Sequence, residues 1–431
     1  MKRSVARVAA LAGALALVLA ACSSGGGDSE STAGSDGTSA GGSGEGGQLH
    51  FGTFLPVTGS LAQLGPPEIA GVKLAIDEIN SAGGVFGSDI ELTETDSSDA
   101  DNAAVGIAAA QELINADVQV VIGAASSSVT KNVVDDITGA GIVQISPANT
   151  DTSLSGYSDF YFRTAPPDTV QGDVLGNLIV GDGASNVAVL VFNESYGISL
   201  RDVVQGVVED AGGAITYGNA GQEFDPTETN FGTIVSDALA TQPDAVVILT
   251  FTTQTPTIVR ELAAQGWDMS KTYFVDGNLQ NFGTEGETGF PAGTLTGAQG
   301  TLPGAFPAQE FQDRMKGIDP DLKDFSYGPE SYDATMLAAL AALKGGEATG
   351  EAIQANMAAV SGADGGTECT GWEECSGLIE DGEDIAYQAV SGVGPFNEAN
   401  DPSSAFIGVY QFGEDNTYTF VRSEEGEVPA S

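Results

Sequence analysis

The chain has 431 residues, of which 14 are Lys or Arg, 60 are Asp or Glu and one is His. The length indicates two domains or more, and 41% hydrophobic residues suffice for cores of that size. A formal charge of −46 argues against nucleic acid as a partner, because phosphate contacts require clusters of Lys and Arg. His50 and three Cys leave no ordinary zinc site and little scope for a Ser–His or Cys–His catalytic pair.

The first 21 residues have the pattern of an export signal. A basic start (MKRSVAR) precedes the uncharged run 8–21, which is shorter than the roughly 20 residues that span a bilayer as a helix. The run ends in LAAC, which resembles the lipobox of bacterial lipoproteins. That resemblance implies cleavage before Cys22 and lipidation of its thiol, so we expect a protein anchored to the extracytoplasmic face of the cell membrane. An ordinary secretory signal with an incidental Cys is the alternative.

The lipidated Cys22 and the segment up to residue 47 are expected to form a tether. Residues 23–47 contain only Gly, Ser, Thr, Ala, Asp and Glu, which cannot form a core. A flexible linker of this length has an r.m.s. span of roughly 25–30 Å.

From residue 48 the sequence alternates predicted strands and helices. Strands are predicted at 48–55, 90–95, 118–122 and 142–145, and later at 187–192, 214–217, 245–251 and 273–275. Helices are predicted from Pro67 to the Gly83-Gly84 pair, at 103–115, 129–138, 198–211, 230–240 and 255–265, and from Pro329 to Lys344. No strand is predicted in 150–185, and the segment 385–422 is strand-like. This pattern predicts an α/β fold with two doubly wound parallel-sheet lobes.

Two polar turns follow neighbouring strands of the first lobe. One contains Ser126, Ser127 and Ser128 before a predicted helix, and the other contains Asn149 and Thr150. Ligands bind beyond the carboxyl ends of parallel strands, where helix N-termini present free N–H groups. An anion-binding crevice is therefore predicted here, although a serine at a helix start is often only an N-cap.

Five sequence segments together resemble the leucine/isoleucine/valine-binding proteins, which are type I periplasmic binding proteins of ABC importers. The segments, in order, are 61–65 (LAQLG), 79–87 (INSAGGVFG), 142–147 (IVQISP), 162–164 (FRT) and 195–197 (SYG). The resemblance extends over roughly residues 48–422. A Cys pair (Cys369 and Cys375) just before 384–387 (DIAY) resembles the actinobacterial lipoprotein branch of the family. The family resemblance implies two lobes joined by three crossover segments that close on a ligand. We expect lobe 1 to comprise 48–166 and 296–389, and lobe 2 to comprise 167–295 and 390–428.

The same resemblance implies the ligand-binding residues. Ser127, beside Ser126, matches a serine that binds a ligand carboxylate. Thr150 matches a threonine that contacts the head group of an amino-acid ligand. Asn149 matches a residue whose backbone carbonyl accepts from the ligand ammonium. Tyr196 matches an aromatic residue of the second lobe that covers the ligand.

The position that binds the ligand ammonium is less well defined by the resemblance. Asp276 is the expected acid, with Asn278 as a rival and Glu330 as a further candidate. Ordinary packing of Tyr196 and a turn-forming role for Asp276 remain the structural alternatives. Leu64 stands where branched-chain binders carry a tyrosine, so the side-chain pocket differs from a leucine pocket and the ligand side chain is left open.

Cys369 and Cys375 are expected to form a local disulfide. With Cys22 lipidated, they are the thiols that remain in an oxidising compartment. Two free thiols are the alternative.

The resemblance implies a monomeric binding protein without a cofactor that delivers an amino acid to an ABC permease. Alternatives are an amide, urea or aromatic acid as ligand, or a ligand sensor without transport. No P-loop, nucleophile elbow or dinucleotide-binding motif indicates an enzyme. The acidic excess is typical of proteins from salty habitats or of an ordinary acidic exported protein.

Overall fold

The computed structural model describes residues 46–286 and 288–428. The predicted signal peptide, Cys22 and nearly all of the linker lie outside the described residues. The helices are α1 (Gly65–Ser81), α2 (Ala103–Asn115), α3 (Ser127–Gly139), α4 (Asp168–Gly181), α5 (Ser195–Asp210), α6 (Gly232–Ala240), α7 (Thr255–Ala264), α8 (Gln309–Ile318), α9 (Gly328–Gly345), α10 (Gly350–Ser361) and α11 (Gly371–Glu380). The strands are β1 (His50–Leu55), β2 (Glu91–Asp96), β3 (Val120–Gly123), β4 (Val143–Ser146), β5 (Tyr161–Arg163), β6 (Asn186–Val191), β7 (Ala214–Tyr217), β8 (Ala245–Leu249), β9 (Thr272–Phe274), β10 (Gln299–Pro303), β11 (Thr367–Cys369), β12 (Ile385–Tyr387), β13 (Ser404–Phe412) and β14 (Tyr418–Glu427).

The first lobe is built on a parallel sheet with the strand order β2-β1-β3-β4-β5. Helices cover both faces: α1, α9 and α10 pack over one hydrophobic cluster, and α2 and α3 over another. The central strand β3 is buried along its whole length, because a parallel sheet covered on both faces offers no wet side. Its continuous apolar sequence follows from this position.

The second lobe is built on a larger sheet with the order β7-β6-β8-β9-β10-β13-β14. The strands from β7 to β10 are parallel, whereas β13 and β14 add antiparallel pairs at one edge. The helices α4, α5 and α7 contribute to its hydrophobic core. The two-lobe α/β architecture predicted from the alternating pattern is confirmed.

Two expected lobe boundaries differ from the structure. Residues from 296 were assigned to lobe 1, but β10 pairs with β9 and β13 in the second sheet, so the chain returns to lobe 1 only after Pro303. Residues from 390 were assigned to lobe 2, but Ser391 donates its N–H to Asp333 of α9 and Asp401 pairs with Arg163 of β5. The last crossing therefore follows Asp401.

A strand was missed in the segment 150–185, where β5 completes the first sheet. It has three residues, which is too short to produce a recognisable alternation, and its pairing with β4 defines it instead. The helix α4 follows in the same segment.

The predicted disulfide is confirmed: Cys369 and Cys375 are bonded, with their Cα atoms 5.3 Å apart. Both residues are buried in the core of lobe 1, so the bond attaches α11 to β11.

Among the described residues, none of the helices combines the length and the apolar character needed to cross a bilayer.

Candidate functional site

A small cavity lies between the lobes, beyond the carboxyl ends of strands from both sheets. Its lining residues are Leu61, Leu64, Ala125, Ser126, Ser127, Ala148, Asn149, Tyr196, Phe251, Asp276, Gly277 and Tyr327. The space has room for about one water molecule. An amino acid is larger, so a ligand of that size requires the lobes to separate before it enters.

The structure brings six of the seven expected ligand-binding residues to this cavity: Leu64, Ser126, Ser127, Asn149, Tyr196 and Asp276. Thr150 is the exception. Its hydroxyl is fully buried behind the wall and forms no hydrogen bond with a described residue.

The lobe 1 wall is the N-terminus of α3 together with the turn after β4. Ser126 is the N-cap, and its Oγ accepts from the N–H of Val129 at 3.3 Å. Ser127 is the first helical residue, and its Oγ accepts from the N–H groups of Thr150 and Asp151 at 3.4 and 3.3 Å. The N-terminus of a helix carries a partial positive charge, so this wall favours an anionic group.

Asn149 is held in place by its side chain. Nδ2 donates to Thr130 Oγ1 at 2.8 Å, and Oδ1 accepts from the Tyr161 hydroxyl at 2.6 Å. These contacts hold the side-chain amide inside lobe 1, and the role of the Asn149 carbonyl stays a prediction.

The lobe 2 wall presents the Asp276 carboxylate. Oδ1 accepts from the Tyr196 hydroxyl at 2.6 Å and from Gln171 Nε2 at 2.8 Å, and Oδ2 accepts from the Tyr327 hydroxyl at 2.7 Å. Burial raises the pKa of this carboxyl, whereas the hydrogen bonds act in the opposite direction. A cationic ligand group beside Asp276 would therefore find an acceptor already oriented.

The rival Asn278 lies behind the wall. Its Oδ1 accepts from the N–H of Val275 at 3.0 Å, and its Nδ2 donates to the Ile248 carbonyl at 2.8 Å. Because both ends of its side chain serve the backbone of lobe 2, Asn278 holds the Asp276 turn in shape. The other candidate, Glu330, does not line this cavity.

Aromatic rings form the remaining wall. Tyr196 stacks on Phe251 with their centroids 5.7 Å apart, and Phe192 supports Phe251 edge-on at 4.8 Å. A Cβ at Gly277 would lie 3.0 Å from both Tyr196 and Phe251, closer than ordinary van der Waals contact, so a larger residue would push the rings away from this turn.

Glu194 connects the lobes beside the cavity. One carboxylate oxygen, Oε2, accepts from the N–H of Tyr196 at 2.6 Å and so caps α5 of lobe 2. The other, Oε1, accepts from Ser126 Oγ at 3.3 Å and from the N–H of Ser128 at 3.2 Å, at the start of α3 in lobe 1. One buried carboxylate thus accepts one backbone N–H from each of two helix N-termini.

Asp168, at the start of α4, is a further buried acid near the cavity. The hydroxyls of Thr150 and Ser199 lie near it but outside hydrogen-bonding geometry, and neither carboxylate oxygen accepts a hydrogen bond from a described residue. Burial raises the pKa of Asp168 to about 8. Asp168, Glu194 and Asp276 thus concentrate carboxyl groups in a region whose cavity lining includes no Lys or Arg among the described residues.

Glu194, Tyr327 and Asp168 were missed by sequence reasoning. Glu194 directly precedes the segment 195–197 that carries part of the resemblance, so its position at a helix start was the available signal. Tyr327 contacts Asp276, which is more than 50 residues away, and Asp168 is distinguished by its burial. A local sequence pattern reveals neither property.

Two α/β lobes that close on a ligand cavity define a class of binding protein. The model of the periplasmic binding protein family matches residues 48–378, which is most of the chain. The chain therefore belongs to this family, as a type I periplasmic binding protein, and it is a binding protein rather than an enzyme.

Curated relatives agree with this membership over different lengths. The leucine-, isoleucine-, valine-, threonine- and alanine-binding protein of Pseudomonas aeruginosa is 36% identical over 160 residues, which cover 36% of this chain and 42% of that protein. The chemotactic signal transduction system substrate-binding protein BasB of Halobacterium salinarum is 24% identical over 374 residues, covering 83% and 85%. The alignment with the Pseudomonas protein thus spans less than half of that relative's length.

Solved structures share the fold. The leucine-binding protein LivK of Thermotoga maritima has a TM-score of 0.69 at 18% identity, covering 87% of this chain and 98% of that one. A solute-binding protein from R. palustris in complex with 4-hydroxybenzoate has a TM-score of 0.71 at 16% identity, covering 89% and 98%.

Proposed function

We propose that this protein is the extracytoplasmic substrate-binding component of an ABC importer, and that it binds an amino acid, branched-chain or related, between its lobes. The observation that carries the proposal is the opposition of the α3 N-terminus with Ser127 in lobe 1 to the Asp276 carboxylate in lobe 2. A zwitterionic head group needs donors for its carboxylate and acceptors for its ammonium, because unpaired buried charges are costly.

The apolar part of the cavity supports an amino acid with an uncharged side chain. Leu61, Leu64 and Phe251 line it beside the polar groups. The Pseudomonas relative carries leucine, isoleucine, valine, threonine and alanine in its name, which supports the same ligand class here.

Closure on the ligand would produce the form that the permease recognises. A ligand that contacts both lobes favours the closed state by its differential affinity for that state. We further propose that the mature chain is attached to the membrane through lipidated Cys22, with residues 23–47 as the tether, so that the lobes act next to a membrane-embedded permease as a monomer.

Isothermal titration calorimetry of the protein against the common amino acids tests the proposal. At least one ligand should bind with micromolar affinity. Ser127→Ala and Asp276→Asn should each weaken it by about 10- to 150-fold, because a hydrogen bond to a charged group contributes about 1.5–3 kcal/mol. Ser236→Ala, at an exposed position of α6, serves as the control and should bind as the parent does.

Two outcomes would redirect the proposal. Binding of an amide, urea or aromatic acid but of no amino acid would assign a ligand without an ammonium group. Equal affinity of Asp276→Asn and the parent for an amino acid would reject Asp276 as the ammonium acceptor.

Ligand sensing is the second candidate function. The Halobacterium relative, which aligns over most of both chains, is named as a component of a chemotactic signal transduction system. Ligand uptake by cells with and without the protein separates the candidates, because a sensor would leave uptake unchanged.

A further inference from the structure

A second cavity also has Tyr327 in its wall. It lies where the second crossover, which begins after Pro303, meets the start of α9, and we call it the hinge cavity. It encloses about 250 Å³, close to the lower end of the roughly 300–1,000 Å³ typical of ligand pockets. Its lining includes Gly304, Tyr327, Glu330, Tyr410 and Tyr418. Apart from Tyr327 it shares no lining residue with the first cavity.

Glu330 lines the hinge cavity. The residue is 2% exposed, and its carboxylate accepts no hydrogen bond from another residue in the described part of the chain. Burial, and then the nearby Glu330 carboxyl, raise the pKa of a second acid, Glu68 of α1, whose own oxygens are buried without partners among the described residues. Burial likewise raises the pKa of Glu330 well above its usual value, because the ionised form is costly inside the protein. A cation bound beside the carboxyl would favour that ionised form.

The backbone makes room for this carboxylate. Gly304 has φ +94°, and a Cβ built there would lie 2.1 Å from Glu330 Oε1. The crossover therefore passes directly over the acid, and only a glycine permits that approach.

The other walls suit an organic cation. Tyr410 is buried, its hydroxyl forms no hydrogen bond with a described residue, and its ring packs edge-on against Tyr418 at 5.2 Å. Besides Glu330, the lining includes the carboxylate of Asp324, whose Oδ2 accepts from the Tyr418 hydroxyl at 3.4 Å. Lys323 also lines the cavity, but it is exposed to solvent. Carboxylates beside aromatic rings attract cations by charge and by cation–π interaction.

We propose that the hinge cavity is a second binding site, for a small organic cation of the ammonium class, with Glu330 as the charged partner. The site is separate from the one in the proposed function. The two sites share one lining residue, Tyr327, whose hydroxyl donates to Asp276.

Titration with tetramethylammonium chloride, at constant ionic strength maintained with NaCl, tests the proposal by ligand-observed NMR. Saturable binding is expected for the parent, and Glu330→Gln should weaken it tenfold or more. Glu310→Gln removes an equal charge from an exposed position of α8 and should leave binding unchanged. Ser127→Ala, which alters the first cavity, should also bind the probe normally, so failure of the proposed function and failure of this site are distinguishable.

Three results would overturn the proposal. Binding that does not saturate, or that falls equally in Glu310→Gln, would indicate general attraction to an acidic surface. Uncharged tert-butanol binding as tightly as tetramethylammonium, with no effect of Glu330→Gln, would indicate an apolar cavity without charge recognition. Thermal unfolding of each variant shows that the comparison is made on folded protein.

Discussion

Glu194 Oε1 accepts a hydrogen bond from the backbone N–H of Ser128, with an N···O distance of 3.2 Å, across the gap between the lobes. Because the same side chain caps α5, each lobe supplies donors to one buried anion. This contact joins the lobes without a ligand, and its strength contributes to the balance between open and closed forms.

Replacing Glu194 should therefore favour the open form. Glu194→Ala removes the hydrogen bonds from Ser126 and Ser128 across the gap. Losing even one bond to a charged group, worth about 1.5–3 kcal/mol, would change the open-to-closed ratio by about 10- to 150-fold. Small-angle X-ray scattering of the empty protein should show a larger radius of gyration. Glu209→Ala, at an exposed position of the same helix, should scatter as the parent does. An unchanged radius for Glu194→Ala would mean that other contacts hold the lobes together.

Asp168 should make stability depend on pH. Its pKa is about 8 in the folded protein, against about 3.9 when unfolded, so the folded state retains a proton that the unfolded state releases. Stability should fall as pH rises from about 4 to about 8, and the loss is complete above that range. Asp168→Asn should lose less stability than the parent between pH 5 and pH 8.5 in urea unfolding. Asp173→Asn, exposed on the same helix, is the control and should follow the parent. Parallel curves for the parent and Asp168→Asn would contradict the prediction.

The buried pair of Arg163 and Asp401 should be costly to break. Their contact is bidentate, at 2.7 and 2.9 Å, and both side chains are nearly inaccessible to solvent. Asp401→Ala leaves an unpaired buried guanidinium and should destabilise the protein by about 3–5 kcal/mol. In the same urea experiment Glu94→Gln, which breaks the exposed pair with Lys73, should cost about 1 kcal/mol or less. Similar losses from both variants would show that burial of the first pair does not matter.

Lipidation at Cys22 predicts a membrane-bound protein that is released when the Cys22 sulfur is removed. Cys22→Ser removes the thiol that would carry the lipid. Without acyl chains, of which more than one is needed for durable anchoring, the variant should leave the membrane fraction. Cell fractionation with labelled fatty acid measures both effects. Retention of Cys22→Ser in the membrane, with label still incorporated, would place the anchor elsewhere.

The sequence predicts regular elements better than it predicts contacts between them. The helix at 103–115 and the strand at 214–217 have the predicted bounds, because apolar spacing is a local property. The segment that forms β10 had no strand signal, and its place in the second sheet depends on pairing with β13, more than 100 residues later. Asp276 was expected in the site from resemblance, but its three donors come from separate parts of the chain, and local spacing cannot predict such a network.

The contact of Arg163 with Asp401 also determines where the molecule can bend. Asp401 is attached to lobe 1, and β13 of lobe 2 begins at Ser404, so the third crossover is only two residues long, and the N–H of Ser403 donates to the Pro395 carbonyl. The first crossover contains Pro166 and Pro167, whose rings restrict φ. The rotation axis between the lobes must therefore pass close to these short connections, and a small change in backbone angle there moves the far rims of the cleft by a much larger distance.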